Sequence, residues 1–280
     1  MLYVCATPIG NLEDVTLRTL EVLGRVEVVA CEDTRHTRKL LDRHGLQPPR
    51  LVSFHEHNET ARLDEVLAVV RAGRDVALVS DAGMPGVSDP GYTLVRACVN
   101  EGLPFTVLPG ASAVSTALVL SGLPTDRFTF VGFLPRGRQR VLGALESAGA
   151  TGGSIVAFES PRRVRATLEA VAGCWPARRV VVCRELTKVF EQVLRGTADE
   201  VLALLSAEPK GEIVLVLGPP PDPEPVASAE VDEALRVMLA RGLGTKEAAG
   251  VVAALSGMPA RDAYRAALAV RRVHPGGLVE

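Results

Sequence analysis

The chain has 280 residues, of which 47% are hydrophobic and 23% charged, and its formal net charge is −2. This composition is ordinary for a globular protein of two domains and excludes a disordered chain, while the net charge argues against a wholly basic nucleic-acid-binding protein. Charge is nevertheless uneven, because residues 135–195 hold 11 Arg and Lys against 5 Glu. Such a basic middle segment can attract an anionic polymer.

The cysteines and the N-terminus indicate the compartment. Five cysteines form no C-x-x-C pair, which is typical of thiols in a reducing compartment and predicts neither a zinc site nor disulfides. Residues 1–5 have no charged n-region, so we expect no signal peptide. The uncharged stretch 102–125 is divided by Pro and Gly and predicts no membrane span. We therefore expect a cytoplasmic protein without a metal or a membrane partner.

Short apolar strands alternate with helices over the first 120 or so residues. The predicted strands are 2–6, 26–31, 50–54, 75–79 and 105–108. Helices are predicted at 16–23, from 35 to 44, around 63–70, at 91–100 and after Ser112. This alternation predicts an α/β domain with a parallel, doubly wound sheet.

The order changes after Gly122. Strands are predicted at 128–133, 154–158, 180–184, 189–195 and 212–217. Since two of them follow one another without a helix, the second sheet is predicted to be mixed. A Pro-rich segment then precedes three short helices at 228–241, 245–255 and 259–269. The predicted organisation is an N-terminal α/β domain at 1–122, a C-terminal α/β domain at 123–218, a linker at 219–227 and a helical appendage at 228–280.

The strand-end loops of the first sheet are the principal candidate site. They span residues 7–14, 32–35, 81–91 and 109–112, and in a parallel sheet such loops meet at one edge, where ligands bind. None has the Gly-Lys-Ser/Thr pattern of a phosphate-binding loop. Their small residues and carboxylates suit a polar or cationic cofactor without phosphate, such as S-adenosylmethionine. The alternative is a stiff connection in which Asp89 caps the next helix.

Other polar groups allow two interpretations each. Asp33 and Arg35 could steer a substrate, or form an N-cap with a surface ion pair. His55 and His57 could bind a metal, but a polar turn is favoured because no further ligand has suitable spacing. The last three helices favour a packing appendage over a helix-turn-helix reader of RNA. Two arginine clusters could bind RNA phosphates or lie on solvated helix faces: Arg136, Arg138 and Arg140, and Arg162, Arg163 and Arg165.

Taken together, these segments resemble the tetrapyrrole methylase (class III methyltransferase) superfamily, and closely its ribosomal RNA small subunit methyltransferase I branch. The segments that match are TPIGNL at 7–12, EDTR at 32–35, SDAGMPGVSDPG at 80–91, PGASA at 109–113, GFLP at 132–135, ESPR at 159–162, CRELTK at 183–188 and GE at 211–212. Tetrapyrrole-modifying members have a Gly-x-Gly-Pro-Gly-Asp loop where this chain has ATPIGN at 6–11. That departure favours the RNA branch.

The resemblance implies a homodimer that binds S-adenosylmethionine in a cleft and methylates the 2'-oxygen of a cytidine in 16S ribosomal RNA, free or in the small subunit, at the decoding centre. It assigns to the cofactor Pro8, Gly10, Asp81, Ala82, Gly83, Val87, Ala111, Ser112, Phe158, Glu159 and Pro161. It assigns to the RNA side Asp33, Arg35, Glu185 and Lys188, with Lys188 or a carboxylate as proton acceptor. Asp89 is expected to cap a helix. The alternatives are a methyltransferase of a tetrapyrrole or protein, and a non-catalytic RNA-binding protein.

Overall fold

The structure, a computed structural model, describes residues 1–47, 50–220 and 228–273. Its first sheet consists of short apolar strands covered on both faces, as parallel strands require. The strands are β1 (Leu2–Cys5), β2 (Val28–Cys31), β3 (Arg50–Ser53), β4 (Val76–Val79) and β5 (Phe105–Leu108). They pair in parallel in the order β3-β2-β4-β1-β5. The predicted doubly wound parallel sheet is confirmed.

Helices cover both faces of this sheet. They are α1 (Leu17–Arg25), α2 (Thr34–Arg43), α3 (Glu59–Arg71) and α4 (Tyr92–Glu101). The first two pack with one face of the strands, and α3 and α4 pack with the other. Because all five strands are parallel, their carboxyl ends lie at one edge, and the loops that follow β1, β2, β4 and β5 meet there.

The second sheet is mixed, as predicted. Its strands are β6 (Phe128–Phe133), β7 (Ser154–Glu159), β8 (Arg179–Arg184), β9 (Gln192–Thr197) and β10 (Ile213–Leu217). The order is β6-β7-β10-β8-β9, and only the β6–β7 pair within this sheet, in the described part of the chain, is parallel. One face packs against α6 (Arg138–Gly149), α7 (Val164–Cys174) and α8 (Ala198–Leu204), and the other against α5 (Ala113–Ser121).

The strand predicted at 189–195 begins later than expected. Strand β9 starts at Gln192, and Val189 and Phe190 form the tip of a loop, where they are 94% and 72% exposed. The loop is turned by positive φ angles of 53° at Glu185 and 62° at Thr187. Because of these conformations, the chain pairs with β8 only from Gln192 onward, and Val189 lies outside the strand. An apolar sequence pattern does not reveal backbone angles of this kind.

The chain divides into two compact units, Met1–Pro220 and Pro221–Glu280. Both sheets belong to the first, and the boundary predicted after residue 122 falls between α5 and β6. Residues 221–227 of the predicted linker lie outside the described residues. The second unit contains α9 (Ser228–Ala240), α10 (Thr245–Ser256) and α11 (Ala260–Val273), packed around Leu235, Ala248 and Ala263. Gly257, in the left-handed conformation, ends α10, and the turn to α11 spans residues 257–259.

Candidate active site

A cavity of 360 Å³, here called the apolar cavity, lies between the strand-end loops of the two sheets. The first sheet contributes Ile9, Ala82, Gly83, Met84, Val87, Ser88, Asp89, Ser112, Ala113 and Val114. The second contributes Phe130, Phe133, Phe158, Leu186, Glu212, Ile213 and Val214. Five predicted cofactor residues are thus at this cavity: Ala82, Gly83, Val87, Ser112 and Phe158. Its volume lies in the range of small-molecule sites, roughly 300–1,000 Å³.

Two strand-end loops are joined by backbone hydrogen bonds on one side of the apolar cavity. Thr7 and Gly83 exchange N–H···O bonds of 2.8 and 3.0 Å, and the Thr7 hydroxyl donates to the Ser80 carbonyl at 3.0 Å. Gly83 has φ of +84°, a conformation that a side chain strains. The cavity wall is therefore held by backbone geometry.

Three phenylalanines line the opposite side. The ring of Phe158 lies 5.0 Å from that of Phe130 and 5.4 Å from that of Phe133, both edge to face. Phe133 remains 61% exposed. Sequence reasoning named only Phe158, because phenylalanines in a strand pattern are more often core residues; the position of Phe133 at a strand end was the available signal.

A second cavity of 270 Å³, here called the polar cavity, adjoins the first. It is lined by Thr7, Pro8, Ile9, Gly10, Leu12, His36, Thr37, Leu40, Ser80, Asp81, Ala82, Lys188 and Glu212. Ile9, Ala82 and Glu212 line both cavities. Of the residues predicted to bind cofactor, Pro8, Gly10 and Asp81 thus lie at the polar cavity. His36 and Glu212 had not been named as site residues.

Lys188 is held at the polar cavity by two carboxylates. Its ammonium donates to Glu185 Oε1 at 2.9 Å and to Glu212 Oε2 at 2.8 Å. Burial lowers the pKa of Lys188, but the hydrogen bonds to Glu212 and Glu185 outweigh it, so the pKa is raised. A side chain at Gly10 would collide with Lys188, because an ideal Cβ there lies 2.5 Å from Lys188 Cγ. This glycine lets the loop after β1 pack against the loop that carries Lys188 and Glu185.

Asp81 connects the loop after β4 to the start of α2. Its Oδ1 accepts the Asp33 N–H at 3.0 Å, and its Oδ2 lies 4.0 Å from Nδ1 of His36. Its own N–H donates to Glu32 Oε2 at 3.3 Å. Asp81 therefore orients the first turn of α2 and faces the polar cavity rather than the apolar one.

Asp33 and Arg35 form the local arrangement expected of an N-cap with an ion pair. Asp33 accepts the Arg35 N–H at 2.8 Å and also binds its guanidinium, 2.7 Å from Nη2 to Oδ2. The side chain of Arg35 is 87% exposed. Hydrogen bonds from Arg35 hold the pKa of Asp33 well below its usual range. Neither side chain lines the apolar or the polar cavity, although Arg35 stands on the helix that forms one wall of the polar cavity.

Asp89 does not cap α4, contrary to expectation. The N-cap is Gly91, with φ of 128°, which makes no side-chain cap. Asp89 instead lines the apolar cavity. Burial raises the pKa of Asp89 to about 7, with further increases from the charges of Glu32, Asp81 and Glu212. The backbone geometry at Gly91 starts the helix and leaves the carboxyl for the cavity.

Three residues predicted to bind cofactor do not line either cavity. Glu159 is 2% exposed; it binds Arg163 Nη2 at 2.6 Å and accepts from the Ser160 N–H and the Thr167 hydroxyl, both at 2.7 Å. Its oxygens are thus engaged in holding the start of α7. Pro161 and Ala111 are also absent from both linings.

Two arginines of the basic clusters are bound within the protein. Arg163 pairs with Glu159 and donates to the Leu134 carbonyl at 3.0 Å. Arg165 donates to carbonyls at the end of α8, including that of Leu205 at 3.1 Å. Their positive charges stabilise local structure. Arg136, Arg138, Arg140 and Arg162 are exposed.

Comparison with known proteins identifies the family. Residues 1–202 match the family described as Tetrapyrrole (Corrin/Porphyrin) Methylases. The chain belongs to this methylase family. Residues 225–271 match the RsmI C-terminal HTH domain. That these helices form a packing appendage rather than a reader of RNA stays a prediction.

Curated relatives of this methylase bear the name Ribosomal RNA small subunit methyltransferase I. That of Halalkalibacterium halodurans is 43% identical over 269 residues, which cover 94% of this chain and 93% of the relative. The relative from Escherichia coli O157:H7 is 41% identical, and the match covers 95% of this chain and 94% of the relative. That of Thermotoga maritima is 43% identical over 219 residues, or 77% of this chain and 97% of the relative.

Solved structures show the same fold at lower identity. Uroporphyrin-III-C-methyltransferase from Thermus thermophilus has a TM-score of 0.55 at 23% identity, over 78% of this chain and 93% of its own. Diphthine synthase has a TM-score of 0.59 at 14% identity, and the match covers 78% of this chain and 89% of the synthase chain. A further structure of the Thermus thermophilus methyltransferase is complexed with S-adenyl homocysteine. Its TM-score is 0.54 at 22% identity, and the match covers 78% of this chain and 96% of that one.

These matches confirm the predicted family, branch, fold and enzyme class. The chain is a methyltransferase, and the family to which it belongs uses S-adenosylmethionine. Within the described ranges, no group of three or more His, Cys, Asp or Glu side chains could hold a metal ion. None of the helices in the described residues is long and apolar enough to cross a bilayer.

Proposed function

We propose that this methylase transfers a methyl group from S-adenosylmethionine to the ribose 2'-oxygen of a cytidine in small-subunit ribosomal RNA. The observation that carries the proposal is the junction of the apolar and polar cavities at Ile9, Ala82 and Glu212. A donor in one cavity and an acceptor in the other meet there, as direct transfer between two substrates requires. The names of the curated relatives support RNA as the acceptor.

The apolar cavity fits S-adenosylmethionine. Phe130, Phe133 and Phe158 provide aromatic surface, which suits both a purine and a sulfonium cation. The carboxyl of Asp89 faces the same space, where it can bind a cationic group. Ala82, Gly83, Val87 and Ser112 would complete the binding surface. When bound, the cofactor supplies a methyl carbon that its positive sulfur has already activated.

The polar cavity suits the ribose and its flanking phosphates. Helix α2 forms one wall, and its exposed Arg38 and Lys39 present positive charge beside the cavity. Such charge attracts a polyanion without reading its sequence. Lys188 lies inside the cavity, and since its pKa is raised, we assign it to binding and orienting the RNA rather than to accepting a proton.

The loops of the protein align the two substrates and exclude water from them. The Thr7–Gly83 bridge fixes the first-sheet side of the junction, and the bond from the Asn11 N–H to the Thr187 hydroxyl, 2.9 Å long, joins it to the loop that carries Lys188. Pre-organised walls of this kind lower the entropy lost when two reactants are brought into line.

The proposal includes a homodimer in the cytoplasm, where ribosomes act. Strand β5 is an edge strand, and its Val107 is 47% exposed. On the neighbouring helix α4, Tyr92 and Val99 are 63% and 60% exposed. Burial of these apolar side chains against a second copy would stabilise the assembly. Light scattering is expected to give twice the mass of one chain for the wild type and the mass of one chain for Val107→Lys.

The activity is tested by incubating the protein and methyl-labelled S-adenosylmethionine with assembled small subunits, free 16S RNA, a porphyrin substrate and a cell extract depleted of RNA. Nucleoside mass spectrometry is expected to find 2'-O-methylcytidine in RNA. Ala82→Leu, which fills the junction, is expected to abolish it, whereas Ala61→Leu on the exposed face of α3 is not. Label in the porphyrin or in protein would support those substrates instead, and failure to retain the cofactor would support a non-catalytic protein.

A further inference from the structure

Four titratable side chains face the polar cavity: His36, Asp81, Lys188 and Glu212. The acceptor of the proposed reaction is a hydroxyl, whose weakly acidic proton must be taken up as its oxygen is methylated. The group that takes it must be unprotonated beforehand and able to direct a lone pair into the cavity. These two requirements distinguish the four side chains.

Lys188 and Glu212 do not meet them. The Lys188 ammonium donates to Glu185 at 2.9 Å and to Glu212 at 2.8 Å. Against the lowering effect of burial, hydrogen bonds to these carboxylates raise the pKa of Lys188, so the amine keeps its proton at neutral pH. Glu212 directs Oε2 at this ammonium and its side chain is 70% exposed, so we assign Glu212 to holding Lys188.

Asp81 has the geometry of an orienting group. One of its oxygens accepts the Asp33 N–H at 3.0 Å, while the other lies 4.0 Å from Nδ1 of His36. At 4.0 Å this second pair is within ion-pair distance but beyond hydrogen-bond distance. A carboxylate beside an imidazole favours the tautomer that carries the proton on the facing nitrogen and stabilises the imidazolium.

His36 is the remaining candidate among the four side chains. It lies in the first turn of α2 and lines the polar cavity, with 57% of its side chain exposed. With Nδ1 directed to Asp81, the Nε2 edge is the one available to an acceptor hydroxyl. Imidazole is also the side chain that ordinarily changes charge between about pH 5 and 8.

Resting on the proposed function, we propose that His36, oriented by Asp81, is the general base for the ribose hydroxyl. Nε2 of His36 removes the 2'-hydroxyl proton while the oxygen forms its bond to the methyl carbon. The carbon–sulfur bond breaks at the same time, and its electron pair stays on sulfur. The products are a 2'-O-methyl ribose, S-adenosylhomocysteine and an imidazolium that Asp81 stabilises and that water deprotonates.

The charges around His36 set how the reaction depends on pH. Asp81 faces the ring from the loop after β4, and Lys188, paired with Glu185 and Glu212, lies across the cavity. On its own helix, Asp33 and Arg35 neutralise one another, and Glu32 is bonded to the Asp81 backbone. Asp81 and Glu32 are thus the neighbouring negative charges without a cationic partner at hydrogen-bond distance among the described residues, and Asp81 is the one that faces the ring. The rate at saturation is expected to rise with pH through one ionisation and then level.

The test compares wild type with His36→Gln and with His57→Gln, an exposed histidine outside both cavities. Single-turnover rates are measured with saturating cofactor and small subunits from pH 5.5 to 9. For His36→Gln we expect the saturated single-turnover rate to fall about 10²- to 10⁴-fold and its pH dependence to disappear. The calorimetric affinities for S-adenosylmethionine and for the small subunit are expected to change less than twofold, and His57→Gln is expected to match wild type. In His36→Gly, added imidazole is expected to restore part of the rate.

The outcomes separate this role from the proposed function. If wild type yields no 2'-O-methylcytidine, the proposed function is wrong. If wild type yields it and His36→Gln keeps more than half the rate, or loses subunit affinity at an unchanged saturated rate, the role of His36 is wrong. Unchanged cofactor affinity in the variant shows that it has folded, so a lost rate then reports on chemistry.

Discussion

Thr7 and Gly83 are hydrogen-bonded to each other in both directions, at 2.8 and 3.0 Å, across the carboxyl ends of β1 and β4. The bridge places the backbone after β4 against Ile9, and an ideal Cβ at Gly83 would lie 3.5 Å from this residue. Space therefore permits a methyl group there, whereas the backbone conformation disfavours one.

Gly83→Ala tests that bridge. The positive φ of 84° should cost about 1–2 kcal/mol of unfolding free energy, and strain in the wall should weaken S-adenosylmethionine binding about tenfold. Gly73→Ala is the matched control, because Gly73 has φ of 76° and open space around it. Urea unfolding should show similar losses for both, and calorimetry a loss of affinity only for Gly83→Ala. If Gly83→Ala and Gly73→Ala bind S-adenosylmethionine with equal affinity, the bridge does not contribute to cofactor binding.

Asp89 should make the stability of the fold depend on pH. Burial, and then neighbouring carboxylates, raise the pKa of Asp89 to about 7 in the folded protein, against about 3.9 in an unfolded chain. Between these values the folded state binds the proton that the unfolded state has lost, so the free energy of unfolding falls as pH rises and levels above about 7. Asp89→Asn should therefore stabilise the protein at pH 8 by about 1–2 kcal/mol, after allowance for partial exposure.

Urea unfolding at pH 4.5 and pH 8 checks the effect of Asp89. The gain from Asp89→Asn should be small at the lower pH, where wild-type Asp89 is protonated. The exposed Asp14→Asn serves as control. A gain of equal size at both values would mean that the carboxyl is not the titrating group.

Glu159→Ala should affect folding rather than cofactor binding. The carboxylate is buried and bound to Arg163, Thr167 and the Ser160 backbone, so its removal leaves a partly buried guanidinium without its charge partner. A loss of about 3 kcal/mol in unfolding free energy is expected. Glu169→Ala, on the exposed face of the same helix, should change little. A weaker affinity for S-adenosylmethionine at unchanged stability would return Glu159 to the cofactor site.

A chain ending at residue 220 should fold and bind the cofactor with unchanged affinity. The first unit is compact by itself, and the Thermotoga maritima relative matches only 77% of this chain over nearly its whole length, a share close to that of this unit. Circular dichroism and calorimetry on residues 1–220 provide the check, with the full chain as control. Loss of cofactor binding would show that the helical unit supports the site.

The element order of the fold could be predicted from the sequence, because apolar runs, turn residues and caps act locally. The parallel first sheet and the mixed second sheet followed from where helices separate the strands. The exception at Val189 and Phe190 came from positive φ angles at Glu185 and Thr187, which side-chain pattern does not encode. Asp89 was misassigned for a similar reason, since Gly91 starts α4 through its backbone.

The sequence by itself determined which loops approach one another and which ligand class suits them, since parallel strands bring their carboxyl ends to one edge. Only the tertiary structure decided which side chains face which cavity. Antiparallel pairing aligns Ile213 with Glu159 and with Arg184, which places Glu212 beside Glu185 and Lys188 from distant parts of the chain. Packing between elements buried Glu159 against Arg163 and Thr167 and left His36 exposed beside Asp81. No local sequence pattern relates those elements, so the sequence alone could not decide either arrangement.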